Sequence, residues 1–190
     1  MTASNSTAPA PTSADTPAVG LRTVNSLDHE GFVALLGSVF EHSPWVAERA
    51  AAARPFAGVD ALHQAMIAVV EGLPTDERIA FLCAHPELAG KEAQSGSMTS
   101  DSTTEQASAG LDALSPAELE QITRMNAEYR QRHGFPFIIC VPRYTKQEIL
   151  DEFRRRTAED TEAELAEAVR QITVITGRRL QAVVRDGARS

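Results

Sequence analysis

The chain is short of everything that would tie it to a membrane, a nucleic acid or a protein-bound metal. No stretch among its 190 residues approaches the ~20 consecutive apolar residues of a membrane span. Basic residues are few. Against 26 Asp and Glu stand 18 Lys and Arg, the formal net charge is −8, and no basic stripe of the kind that neutralises phosphates is present. The densest basic run, Arg154-Arg155-Arg156, is flanked by acidic residues and reads as a solvated helix face. The only two cysteines, Cys83 and Cys140, lie in apolar runs and read as buried free thiols in a reducing cytoplasm. Cys83 and His85 are two apart, His29, His42, His63 and His133 are scattered, and no spacing resembles a zinc set. There is no Gly-rich phosphate loop and no G-x-S-x-G elbow.

What is present begins with a segment rich in Ser, Thr, Ala and Pro, without the basic start and apolar centre of a secretory signal. Residues 1–22 are expected to form a disordered tail. One helical domain over 23–186 follows, ordered from about Val24, and 187–190 is a short second tail. The last residues, Ala188-Arg189-Ser190, are not the peroxisomal Ser-Lys-Leu address, and the expected location is the cytoplasm.

Apolar periodicity is helical nearly throughout. Asn25 or Ser26 can cap a helix carrying Phe32, Leu35, Leu36 and Val39. The alanine-rich run 46–53 favours helix until Pro55 breaks it. Leu62, Met66, Val69 and Val70 mark another helix, ended by Gly72 and Pro74. Thr75 opens one that carries Ile79, Leu82 and Cys83 and stops near His85. Residues 91–104, small and polar, read as a loop. Ser115-Pro116-Ala117-Glu118 is a capping box with proline at the first helical position. Thr145 to Glu148 and Thr161 to Glu164 are two more, the last opening a helix towards Val184. Only residues 137–141 resemble a strand, and one strand makes no sheet. The fold expected is all-α, a single multi-helix domain of about seven or eight helices.

Four segments could carry chemistry. His85 precedes Pro86, which pushes its backbone out of the α region and places its ring where a helix gives way to a loop. Ser102-Thr103-Thr104-Glu105-Gln106 follows a polar stretch. Its Glu105 either bonds the Ser102 amide as a cap or serves a ligand, and the two roles can coexist. Phe135 to Val141 is either plain core or an extended wall whose backbone groups could meet a urea-like ligand. In the last helix Leu165, Val169, Ile172, Thr176, Arg179 and Val183 share a stripe, with Arg179 within about 20° of Ile172 on the helical wheel. An arginine there either snorkels or offers its planar fork to a carboxylate.

Five stretches together resemble one known family: Phe40-Glu41-His42-Ser43-Pro44-Trp45-Val46-Ala47-Glu48-Arg49, then Ala53-Arg54-Pro55-Phe56, then Ala84-His85-Pro86-Glu87-Leu88-Ala89-Gly90-Lys91, then Ser102 to Leu111 and Asn126 to Cys140. The family is that of 2-oxo-4-hydroxy-4-carboxy-5-ureidoimidazoline (OHCU) decarboxylase, of the ureide branch of uric acid breakdown, and the resemblance covers roughly residues 24–185. This chain departs from it at Glu87, where aspartate is usual, at His133, where phenylalanine is common, and at Arg178, where an apolar residue is usual.

The resemblance implies a helical, cofactor-free decarboxylase that yields (S)-allantoin, binds no metal, takes a small ureide as substrate and forms a homodimer. His85 matches the family's catalytic histidine and Pro86 its substrate-contacting neighbour. Ser102, Thr103, Thr104, Glu105 and Gln106 match the ligand-binding loop, with Glu105 as catalytic carboxylate. Phe137, Ile138, Ile139, Cys140 and Val141 match the segment that grips the ureide, and Arg179 matches the active-site arginine. A histidine with an ordinary pKa near 6.5 can both accept and donate a proton near neutrality. The resemblance therefore makes His85 the proton shuttle, and Arg179 is expected to hold the substrate carboxylate. Two other readings stay open: a non-catalytic helical ureide-binding protein, and a decarboxylase of a related small ureide.

Overall fold

A computed structural model of the chain describes residues 18–186. Among these residues there are ten α-helices, two short 3-10 turns and one two-stranded ladder. In chain order they are β1 (Val19–Gly20), α1 (Leu21–Ser26), α2 (His29–Leu36), α3 (Trp45–Ala50), α4 (Val59–Glu71), α5 (Thr75–Leu82), α6 (Lys91–Ser95), α7 (Ser100–Ala107), α8 (Pro116–His133), α9 (Lys146–Thr157), α10 (Thr161–Val183) and β2 (Val184–Arg185). The all-α expectation holds, with more helices than the periodicity showed.

The longest helices start and stop for local reasons. Ser115 and Thr145 cap α8 and α9 in full capping boxes, closed by Glu118 and Glu148, as their spacing predicts. Gly134 ends α8 in the left-handed region at φ 84°, where a side chain would be strained. Packing then decides the rest. Leu62, Met66 and Val70 on one face of α4 are fully buried and meet α3 and α10. α10 buries Leu165, Val169, Ile172, Thr176 and Arg179, as its 4-3 spacing predicts, with Val183 half-buried, and Ala168 and Ile175 widen the inward face.

Several expectations are corrected. Val19 to Arg22, assigned to the tail, belong to β1 and α1. β1 pairs in parallel with β2, Val19 opposite Val184, so the two ends of the domain are tied together. The remainder of the expected tail, 1–17, and residues 187–190 lie outside the described residues. Residues 91–104 contain α6 and most of α7. Residues 137–140 form neither helix nor strand, and Val141 begins a 3-10 turn. Asp28, not Asn25 or Ser26, caps α2. Cys83 is exposed, whereas Cys140 is buried.

The basic run on α9 is divided. Arg154 and Arg155 pair with Asp151 and Glu152 at the surface, but Arg156 is fully buried. Its guanidinium forks onto the buried Glu164, which also accepts from the Tyr129 hydroxyl. Glu164 is therefore not the closing member of a third capping box. Asp160 caps α10, and the Thr161 hydroxyl meets the His133 ring instead. Arg156 also lies 4.4 Å from the centre of the Phe137 ring, which stacks on Phe153.

Candidate active site

The turn after α5, α7, α10 and the 137–141 segment converge on one tight cleft with a volume of about 40 Å³. His85, Pro86 and Leu88 form one side of it. Ser102, Glu105 and Gln106 enter from α7, Ile175 and Arg179 from α10, and Phe137, Ile138, Ile139 and Val141 close it. Most of the residues singled out in the sequence thus meet in one place. Thr103, Thr104 and Cys140 do not line it. The two threonine hydroxyls bond back to the Thr99 and Ser100 carbonyls, and the Cys140 amide donates to Gln171 at 2.9 Å.

His85 stands just past the C-terminus of α5, its amide bonded to the Leu82 carbonyl. Its ring packs edge-on against Phe81 at 5.4 Å between centres, and its Nδ1 is buried without a hydrogen-bond partner. Burial disfavours the charged ring and outweighs the attraction of Glu41, so its pKa falls to about 4. The nearby Phe81 and Leu82 carbonyls favour the charged form, but neither makes a hydrogen bond to Nδ1. At neutral pH the imidazole is uncharged.

The turn beyond His85 is pinned on all sides. The Gln106 amide oxygen accepts from the Ala89 amide at 2.8 Å, and Asn126 donates to the Leu88 carbonyl at 2.9 Å. Glu87 pairs with Arg130, so glutamate keeps a surface partner at this departure from the family pattern. Gly90 is required by space, since a Cβ there would come within 2.8 Å of the Glu87 Cβ.

Arg179 neither snorkels nor stands free. It is 8% exposed, and it forks onto Glu105, Nε to Oε1 at 2.9 Å and Nη2 to Oε2 at 2.7 Å. Nη1 donates to Glu41 at 2.8 Å and Nη2 also reaches the Ser102 hydroxyl at 3.2 Å. Four of the five guanidinium hydrogens are thereby engaged. Burial works against the Arg179 charge, but the two carboxylates outweigh it and raise its pKa. Burial would likewise raise the Glu41 pKa, yet bonds from Arg179, Thr99 and Ser102 hold it below the usual carboxylate range. Two carboxylates, one guanidinium and a neutral imidazole leave the cluster with one net negative charge.

Glu105 is not the cap of its own helix. Thr99 caps α7, accepting from the Ser102 amide at 3.3 Å and donating to Glu41 at 2.7 Å. Glu41, Thr99, Leu88 and Ile175 carry no role in the sequence reading. Ile175 stands one turn before Arg179, beside the predicted stripe, and that spacing is its signal in the sequence. Removing the Thr99 hydroxyl in Thr99→Ala should cost about 2 kcal/mol, one cap plus one charged hydrogen bond. Urea denaturation beside Thr103→Ala, whose hydroxyl serves only its own helix, measures the difference.

Comparisons with known proteins agree with this arrangement. Residues 25–181 match the family described as OHCU decarboxylase. The chain is 41% identical over 160 residues to the 2-oxo-4-hydroxy-4-carboxy-5-ureidoimidazoline decarboxylase of Haloferax volcanii, covering 84% of this chain and 93% of that protein. It is 35% identical over 164 residues to the enzyme of that name from Amia calva, covering 86% and 94%. It is also 36% identical over 161 residues to the uric acid degradation bifunctional protein of Bacillus subtilis, covering 85% of this chain and 32% of that longer one.

Among solved structures, an (S)-allantoin synthase superposes with a TM-score of 0.67 at 28% identity, over 87% of this chain and 54% of that one. An OHCU decarboxylase crystallised in the presence of (S)-allantoin shares the fold, with a TM-score of 0.60 at 20% identity over 82% and 96%. With a family match across most of its length and relatives of this similarity, the chain belongs to the OHCU decarboxylase family.

Proposed function

We infer that this chain is a carboxy-lyase that converts OHCU to (S)-allantoin and CO₂ in uric acid degradation. One observation carries the reading. An uncharged, buried histidine lines a cleft that it shares with a locked Glu105–Arg179 pair, in a chain matching the family over residues 25–181.

The chemistry suits the geometry. The ring carbon of OHCU that bears the carboxylate and hydroxyl adjoins an unsaturated C–N unit. When the carbon–carboxylate bond breaks, its electron pair forms a ring C=C bond and the former C=N pair moves onto nitrogen, which takes up a proton. The sink is in the substrate, so the step calls on no cofactor. The enol-like intermediate then loses its hydroxyl proton and gains one at the neighbouring carbon, generating the stereocentre.

His85, neutral at the start, accepts the hydroxyl proton and returns it to that carbon from its own side of the cleft. Its depressed pKa makes the transiently protonated ring a strong acid for the second transfer. Glu105, held by Arg179, orients the ureido N–H groups, and the backbone of 137–141 fixes the ring.

The occupied fork changes what Arg179 does. With both of its paired donors on Glu105, one Nη1 hydrogen remains for a substrate. A bidentate grip on the substrate carboxylate is replaced by a role in fixing Glu105. In this reading the carboxylate sits in the apolar part of the cleft beside Ile175, close to a net negative cluster, where its charge is poorly solvated and is dispersed as CO₂ leaves. Weak ground-state binding of that group favours the transition state.

Residues 19–186 form the catalytic unit in this reading, with Pro86, Ser102, Glu105 and Gln106 against the ligand. The free cysteines Cys83 and Cys140 fit a reducing cytoplasm, and the family resemblance supports a homodimer. The test is consumption of freshly generated OHCU, followed by its ultraviolet absorbance with and without protein, beside a panel of related ureides. Acceleration of OHCU loss above the spontaneous rate supports the assignment. Preferred turnover of another ureide, or binding without turnover, overturns it.

A further inference from the structure

The wall that faces the ligand is held from behind by two residues that do not line the cleft. Arg156, on α9, donates from Nη1 to the Ile138 carbonyl at 2.9 Å while its other nitrogens grip Glu164. Gln171, on α10, accepts from the Cys140 amide at 2.9 Å and is braced in turn by Glu167. These two backbone groups lie two residues apart and are both drawn towards α9 and α10. An extended chain has that period, and it turns the corresponding groups one residue earlier, the Phe137 carbonyl and the Ile139 amide, the opposite way. The Phe137 carbonyl and the Ile139 amide have no hydrogen-bond partner among the described residues, although buried backbone groups normally find one.

We propose that Arg156 and Gln171 are positioning residues: they hold the Ile138 carbonyl and Cys140 amide back, so that the Phe137 carbonyl and Ile139 amide present an acceptor and a donor to an N–H and a C=O of the ureide ring. This rests on the decarboxylase reading. Arg156 suits the task because its fork spans Glu164 and the Ile138 carbonyl at once, with Phe137 packed beneath the guanidinium plane. A ring paired on both edges cannot turn over in the cleft, so the wall also sets which face of the intermediate is turned to His85.

The test uses Arg156→Lys and Gln171→Met in the full-length protein. Lysine keeps a charge for Glu164 but cannot also reach the Ile138 carbonyl, and methionine keeps the length of glutamine without its amide oxygen. The readouts are kcat and KM for OHCU, and the enantiomeric excess of the first allantoin formed after subtraction of the spontaneous reaction. We expect KM to rise about tenfold or more, the size of a small misplacement of a bound substrate, and the enantiomeric excess to fall. A purely structural role would lower stability and leave both at their wild-type values. Variants with wild-type circular dichroism, wild-type KM and undiminished enantiomeric excess overturn the proposal. If Arg156→Lys does not fold, Gln171→Met decides alone. A wild-type protein that fails to accelerate OHCU loss overturns the underlying function and this inference with it, whereas an active wild type beside indifferent variants overturns this inference only.

Discussion

Replacing His85 with asparagine should lower kcat/KM by about two to four orders of magnitude, the range for a positioned acid–base group. Asparagine is close to imidazole in size and can still hydrogen bond, but it cannot carry the proton from the hydroxyl to the neighbouring carbon. The wild-type pH profile sharpens the test. A free histidine would place the acid limb of kcat/KM near its ordinary pKa of about 6.5. Burial lowers the His85 pKa to about 4, so activity should persist well below pH 6 before it falls.

Stability carries the same signature. Between pH 6.5 and 4 the unfolded chain binds a proton at this histidine that the folded protein refuses. Stability therefore falls as pH drops through that window and is independent of this group above it. The full loss is about 3 kcal/mol at ~1.4 kcal/mol per pKa unit. Urea denaturation across that window should show it in wild type and not in His85→Asn. An acid limb at pH 6.5, unchanged by the substitution, would contradict the assignment.

The second large effect belongs to Arg179→Met. The substitution leaves Glu41, 2% exposed, as a buried carboxylate without its counter-ion, and frees Glu105 from its fork. Removing one partner of a buried pair costs about 3–5 kcal/mol. The loss should depend on pH in a known direction. In wild type the Glu41 pKa is depressed, so its contribution is present above the usual carboxylate pKa and is lost as pH falls through the folded value. Without Arg179, burial dominates and raises that pKa, so the variant is weakest at neutral pH and recovers part of its deficit on acidification. Arg179→Lys restores one charge but not the fork. It should regain stability while kcat stays low because Glu105 is no longer fixed. A methionine variant as stable as wild type at pH 7 would refute the ion-pair account, and normal turnover in the lysine variant would refute the role given to the fork.

The parts of this site that can be read in the sequence are those set by near neighbours. Pro86 alone places His85 at a helix end. Ser115 and Thr145 announce their capping boxes because the partner glutamate stands three residues on. Arg179 is conspicuous because a 4-3 stripe of apolar residues leads up to it.

What escapes the sequence is set by distant or competing partners. Glu41 meets Arg179 across 138 positions, and nothing around it in the chain marks it as buried. Thr99, Ser100, Ser102 and Thr103 can all cap a helix, and tertiary placement chose Thr99 because its hydroxyl also reaches Glu41. Asp160 displaced Thr161 for the same kind of reason, since Glu164 is drawn inward by Arg156. Three consecutive arginines look alike, yet successive helical residues are about 100° apart, and only Arg156 faces the core. Within 91–104, Lys91-Glu92-Ala93-Gln94 are good helix formers cut short by Gly96, whereas Ser100 to Thr104 have little helix preference and their helix is held by the buried Ser102 and Gln106.

The central claim is that one face of a decarboxylated intermediate receives its proton from His85. The most direct measurement is the circular dichroism of allantoin as it forms from OHCU generated in place by urate oxidase and hydroxyisourate hydrolase, with this protein added. The account predicts rapid appearance of the (S)-enantiomer alone, decaying only later if it racemises. A racemic signal from the first time points, rising no faster than without the protein, would contradict it.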